Sequence, residues 1–193
     1  MKNLKSICLF VLTGLSVALV QSGCKKDKEE AEGTGYMQME MTDTPGAYLH
    51  VYVHVKSVEI HRSNTDTSAS AASGTSGWTT LNTRDTIYDL LTLQNNITAV
   101  LCDSTLLPAG KVTQMRLILG ANNSVVLNSG ATHTLTIPSS ANTGIKINLN
   151  TDIQKDKTTR VIIDFNADES INLLGDGSYQ MKPVIKVKSI VMQ

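Results

Sequence analysis

From Tyr36 onward the apolar positions of this chain recur at every second residue, not at every third or fourth. Met37, Met39 and Met41 alternate with Gln38 and Glu40, the pattern of a strand with one buried face. Leu49, Val51, Val53 and Val55 do the same against His50, Tyr52, His54 and Lys56, and past Ser57 the apolar parity flips to Val58 and Ile60. A flip of one residue inside a strand marks an accommodated extra residue, so a β-bulge is expected near Lys56-Ser57. Thr113, Met115, Leu117 and Leu119 alternate in turn, as do Ile145, Ile147 and Leu149. Ser124 to Leu127 and Thr132 to Ile137 flank Asn128-Ser129-Gly130, a hairpin signal. Val161 to Phe165 reads as a central strand, and Tyr179 to Val191 as a single last strand. Trp78 to Leu81 and Thr86 to Leu93 are short strands or a turn of helix.

Turn residues separate these runs: Thr42-Asp43-Thr44-Pro45-Gly46, Leu107-Pro108-Ala109-Gly110 and Gly175-Asp176-Gly177. About eight to ten short strands at even spacing predict an all-β fold, an antiparallel β-sandwich of immunoglobulin-like or transthyretin-like kind. No amphipathic helical stripe supports an α/β architecture, and no internal repeat supports a propeller or solenoid. Residues 63–77 are nearly all small and polar, without periodicity, and are expected to form a disordered insertion.

The N-terminus follows another logic. Lys2 and Lys5 precede an apolar run from Ile7 to Val20, which ends in Gln21-Ser22-Gly23-Cys24. A basic start, a short apolar stretch and small residues before a cut make an export signal, and the stretch is shorter than the roughly 18 residues of a membrane span. Ser22-Gly23 before Cys24 resembles the lipobox of bacterial lipoproteins, with Gln21 standing where a leucine is usual. That resemblance implies residues 1–23 as signal peptide, lipidation of Cys24, palmitate among its acyl chains, and an outer-membrane lipoprotein, periplasmic or surface-exposed. Residues 24–35, charged and glycine-ended, read as a flexible tether, and residues 36–193 as one domain. The other reading is plain secretion with an incidental cysteine.

Charge and cysteine content narrow the partners. The chain carries 17 basic and 17 acidic residues, and loss of Lys2 and Lys5 with the signal leaves 15 against 17. No basic excess is available for a phosphate backbone, so nucleic acid is not an expected partner. Cys8 leaves with the signal and Cys24 is committed to lipid, so Cys102 has no disulfide partner and reads as a small buried hydrophobe.

Several segments together resemble one known family. They are Thr42-Asp43-Thr44-Pro45, Tyr88-Asp89-Leu90-Leu91, Leu107-Pro108-Ala109-Gly110 running into Thr113-Gln114-Met115-Arg116-Leu117, and Ile137-Pro138-Ser139-Ser140 before Thr143-Gly144-Ile145-Lys146. Asp164-Phe165-Asn166-Ala167 and Tyr179-Gln180-Met181-Lys182-Pro183-Val184 complete the set. It is similar to the bacterial lipoprotein domain of unknown function 4382, common in Bacteroidetes, with Asn166 in place of an expected aspartate. The resemblance implies a β-rich extracytoplasmic domain on a lipid anchor and no established activity.

Candidate chemistry is sparse. His50 and His54 share a strand face, but their Cα atoms are about 13 Å apart, too far for one zinc with bonds of about 2 Å. They read as a solvent-facing polar stripe, and His61 and His133 as isolated surface residues. Asp164, Asn166, Asp168 and Glu169 place oxygen ligands at alternate positions after an apolar strand, as a Ca²⁺ site would, whereas Asx turns and capping explain them without metal. Trp78, the one tryptophan in a chain with 4% aromatics, is expected to anchor the core. Asp85-Thr86-Ile87 and Asp103-Ser104-Thr105 resemble an O-glycosylation sequon of some Bacteroidetes, which makes Thr86 and Ser104 candidate acceptors.

The expected function is that of a lipid-anchored binding or structural module of the cell envelope, with a protein or glycan as partner and no catalytic residue or cofactor. A fimbrial or adhesin component, pairing strands with a partner, is the second reading. An accessory subunit or hydrolase with Asp43, Asp164, Asp168 and Glu169 as paired carboxylates is the third.

Overall fold

A computed structural model describes residues 33–63, 77–138 and 143–193. The expected signal peptide, Cys24, the tether as far as Glu32 and residues 64–76 of the expected insertion lie outside the described residues. The strands are β1 (Thr34–Thr42), β2 (His50–Arg62), β3 (Trp78–Thr80), β4 (Thr86–Asp89), β5 (Ala99–Pro108), β6 (Gly110–Leu119) and β7 (Ser124–Val126). They continue as β8 (Thr132–Thr136), β9 (Ile145–Ile153), β10 (Thr158–Phe165), β11 (Ile171–Leu173), β12 (Tyr179–Met181) and β13 (Ile185–Met192). A 3-10 turn at Leu90–Leu93 and a one-turn helix α1 (Ala167–Ser170) are the helical elements among the described residues.

The strands form a sandwich of two sheets. The smaller has the order β13-β10-β1-β5, and the larger is built around the 13-residue β2. The core between them follows from the period of two. Met37, Met39 and Met41 from β1 and Val161, Ile163 and Phe165 from β10 meet Val51, Val53, Val55, Val58 and Ile60 from β2, all fully buried. Each such side chain contributes roughly 1.5–3 kcal/mol by leaving water. The register shift between Val55 and Ser57 against β6 is the expected bulge, and it lets both halves of β2 keep their apolar residues inward. Cys102 is buried in the same core, which pushes its thiol up to about 12.

Four expectations need correction. The sandwich is all-β, but its pairing is mixed: β1 runs parallel to β10 and β12 parallel to β8. The described residues hold thirteen strands rather than eight to ten, because β3, β7, β11 and β12 are only three residues long. The expected last strand is two: Pro183 lies in the gap between β12 and β13, which belong to different sheets. Trp78 is not in the core. It stands half-buried on the outside of the larger sheet, under the Arg116 guanidinium 4.5 Å from its ring and edge-on to His61. One boundary also moves: Thr34 and Gly35, expected in the tether, already pair with β5.

The two ends of the sandwich differ. Gly33, where the described chain begins, lies at the lower end beside Ala109, the β9–β10 turn and the final residue Gln193. The upper end carries the Thr42–Leu49 connection, α1 and the β7–β8 hairpin, which turns at Gly130 with φ +85°. The nine residues of β1 separate these ends by about 30 Å.

Candidate functional site

β2 has partners along both edges, and both flanks are broken opposite its middle. Tyr52 pairs with Asp89 of β4 and Ser124 of β7, while Val55 pairs with Thr86 of β4 and Leu119 of β6. One flank is therefore β3 then β4, and the other β6 then β7. The gap at 120–123 is closed from within by Asn123, which is buried. Its side-chain oxygen accepts the His54 backbone N–H at 2.9 Å, and its amide donates to the Gly120 carbonyl at 2.7 Å. Gly120 N–H donates to the His54 carbonyl at 2.8 Å.

This interruption seats the His54 imidazole against the backbone. A Cβ on Gly120 would stand 2.0 Å from Nδ1, so only glycine admits the ring. Nε2 lies 2.7 Å from Asp85 Oδ1, and a carboxylate can only accept, so Nε2 carries the proton. Nδ1 is buried without a partner. His50, four residues back on the same strand face, repeats the theme with its other nitrogen: Nδ1 lies 2.6 Å from Asp89 Oδ2. Asp89 Oδ1 meanwhile accepts the N–H groups of Val51 and Leu91 at 3.3 Å. The His50 ring stacks on Tyr52 with centroids 5.6 Å apart and planes 16° from parallel.

Two open clefts adjoin over this face. The first, about 630 Å³, is lined by His54, Lys56, Asp85, Gly120, Asn123 and Thr134 among others. The second, about 520 Å³, lies toward the upper end and is lined by Tyr52, Ile87, Ala121, Asn122, Ser124 and Thr134 among others. Ala121, Asn123 and Thr134 border both, which makes one continuous groove. The polar stripe His50, Tyr52, His54 and Lys56 was legible in the sequence as one strand face. Asp85 and Asp89 as its partners were not. Their spacing of four, equal to that of the histidines on an antiparallel neighbour, is the signal that could have revealed them.

The carboxylates singled out from the sequence occupy the upper end and line neither cleft. Asp43 is buried, and its Oδ1 accepts the Ala167 N–H at 2.9 Å while Oδ2 has no partner. Burial pushes this carboxyl up to about 7, with Asp164 and Asp168 adding repulsion. Asp164 Oδ2 accepts from Thr44 Oγ1 at 2.8 Å, and its Oδ1 is buried without a partner. Asn166 Oδ1 caps α1 through the Glu169 N–H at 3.0 Å, and Asp168 Oδ1 accepts from Ala47 N–H at 3.2 Å. Glu169 is exposed. Asp43, Asp164 and Asp168 are thus brought near one another, but Asn166 is spent on the helix. Among the described residues no group of three or more His, Cys, Asp or Glu side chains is placed to hold a metal ion. His61 packs against Trp78, His133 against the Tyr179 ring, and Thr86 and Ser104 are both exposed on strands.

The outside of the smaller sheet carries a locked ion pair. Glu40, although outward-facing, is buried beneath Arg160, whose Nε and Nη2 donate to its two oxygens at 2.6 and 2.5 Å. Thr98 Oγ1 adds a bond at 2.7 Å, and the Arg160 bonds hold the Glu40 carboxyl below the usual carboxylate range.

Residues 34–183 match the family model described as a domain of unknown function, DUF4382. Neither a curated protein nor a solved structure matches the chain.

Proposed function

We propose, for a chain that belongs to the DUF4382 family, that it is a lipid-anchored binding module of the bacterial cell envelope, and that the groove over β2 is its ligand surface. The observation that carries this reading is the placement of the groove. The described chain begins at the lower end at Gly33, nine residues after Cys24, which allows a tether of at most about 30 Å. The Tyr52 half of the groove lies toward the opposite end, so a domain tethered through Cys24 presents it away from the membrane. The lipid anchor rests on the sequence pattern at Cys24, and an outer-membrane location is proposed with it.

The test is photocrosslinking in the native envelope. A photoreactive residue at Ile87, on the groove, is expected to give specific adducts; one at Leu106, equally exposed on the smaller sheet, is expected to give none. Adducts only from Leu106 would contradict the reading. Labelling with palmitate checks the anchor: wild type incorporates it, and Cys24→Ala does not and leaves the membrane fraction.

A further inference from the structure

We infer that the groove takes a neutral, hydroxyl-rich chain, a glycan, with the Tyr52–Ile87 surface as its stacking platform; this rests on the groove being the ligand surface at all. The argument begins with charge. The two aspartates bordering the stripe, Asp85 and Asp89, each take a histidine as partner, at 2.7 and 2.6 Å. Lys56 is the one lysine or arginine lining the described clefts. A phosphorylated or strongly acidic ligand needs several such groups, so that class does not fit.

The remaining surface pairs apolar faces with neutral hydrogen-bonding groups. Tyr52 has one face against His50, and the cleft is lined by Tyr52 but not by His50, so the ring's remaining surface turns to the cleft. Ile87, 47% exposed, lines the same cleft and offers an aliphatic surface. Around them stand the amide of Asn122 and the hydroxyls of Ser124 and Thr134. A sugar ring offers the matching chemistry: an apolar face of C–H groups for the aromatic and aliphatic side chains, and hydroxyls for the amide and the hydroxyls. The groove's two halves adjoin, and it is open rather than enclosed. That shape suits a chain lying across it better than a small molecule held in a closed pocket.

The pairing of the histidines gives the platform rigidity. Asp89 is tied to two backbone N–H groups, and it in turn fixes the His50 ring that backs Tyr52. A ring already held in place loses little freedom when a ligand stacks on it.

The experiment is calorimetric titration of the full-length chain in detergent with maltohexaose, xylohexaose and the hexamer of N-acetylglucosamine, beside an oligogalacturonate as the acidic control. The expected result is saturable binding of at least one neutral hexamer with a Kd between about 10 µM and 1 mM, and none of the acidic one. Tyr52→Ala is expected to weaken it at least tenfold and Trp78→Ala to leave it within twofold, with thermal unfolding confirming that both variants are folded. Failure of every neutral hexamer at 10 mM overturns the glycan assignment. If crosslinking at Ile87 then still yields an adduct to a protein, the groove reading stands and the ligand class alone is wrong; if neither occurs, both fail. Binding that Tyr52→Ala leaves unchanged also overturns the proposal, because the sugar then sits elsewhere.

Discussion

The outer faces of the two sheets handle buried and half-buried charge in opposite ways. On the smaller sheet, Glu40 is locked under Arg160 and Thr98, and both of its carboxylate oxygens are satisfied. On the larger sheet, Glu59 is paired with Arg116 in the same way, but the flanks of β2 are broken, and Asp85 and Asp89 are spent on orienting two imidazoles beside an open groove. A closed polar network stabilises and specifies a fold. An oriented polar row next to open space is what recognition requires. On the proposed reading one face is structural and the other functional, and substitutions can separate the two.

The largest effect is expected at Gly120. Gly120→Val puts carbon where the His54 ring lies, displaces the imidazole and opens the gap that Asn123 closes. Chemical denaturation should show a loss of about 2–3 kcal/mol, together with loss of groove binding. Next comes Arg160→Met, which leaves Glu40 buried without its cation. A loss of about 2 kcal/mol is expected, discounted from a fully buried pair because Arg160 is 35% exposed. Groove binding should be unchanged. A change there would break the division of labour between the faces.

Asp43 lies three residues beyond Glu40 and reverses its behaviour, because burial penalises its charge more than its backbone N–H bonds favour it, and no cation stands beside it. The folded protein holds the Asp43 proton more tightly than the unfolded chain does. Stability therefore falls as pH rises from about 4 to about 7 and levels off above. Glu40 has the opposite sign: its contribution is present above its unfolded pKa and is lost as pH falls through the lower folded value. Asp43→Asn should remove the first dependence and raise stability by about 1–2 kcal/mol at pH 8, with no gain below pH 4. Denaturation midpoints across that range measure it. The smallest effect is Asp85→Asn. Asp85 is 61% exposed, so stability should change by no more than about 0.5 kcal/mol, while the His54 tautomer becomes free to switch, visible in its nitrogen shifts.

Much of this was legible in the sequence. The period of two gave the inward rows of β1, β2 and β10, and the parity flip after Lys56 located the bulge. Those patterns are local, and a half-buried strand leaves its signature in every second residue. The parallel pairing of β1 with β10 was not legible, since partners more than 100 residues apart leave no local mark. Trp78 misled because an aromatic's size suggests burial, whereas here a guanidinium covers it instead.

The motifs behind the family resemblance turn out to be fasteners. Thr42 donates to the Leu93 carbonyl, Asp43 accepts from Ala167 and Thr44 bonds Asp164. The Tyr88 hydroxyl donates to the Val100 carbonyl at 2.8 Å and so ties β4 to β5. They declare the fold and say little about the groove, whose residues depend on a break in two strands that only the assembled sheet reveals.

The most direct test of which face is in use is amide hydrogen exchange of the full-length chain, compared between native envelope membranes and the purified protein. Added protection is expected in residues 119–124, at the gap beside His54, with β1 and β13 unchanged. Protection confined to β1 and β13, or no difference at residues 119–124, would contradict the account.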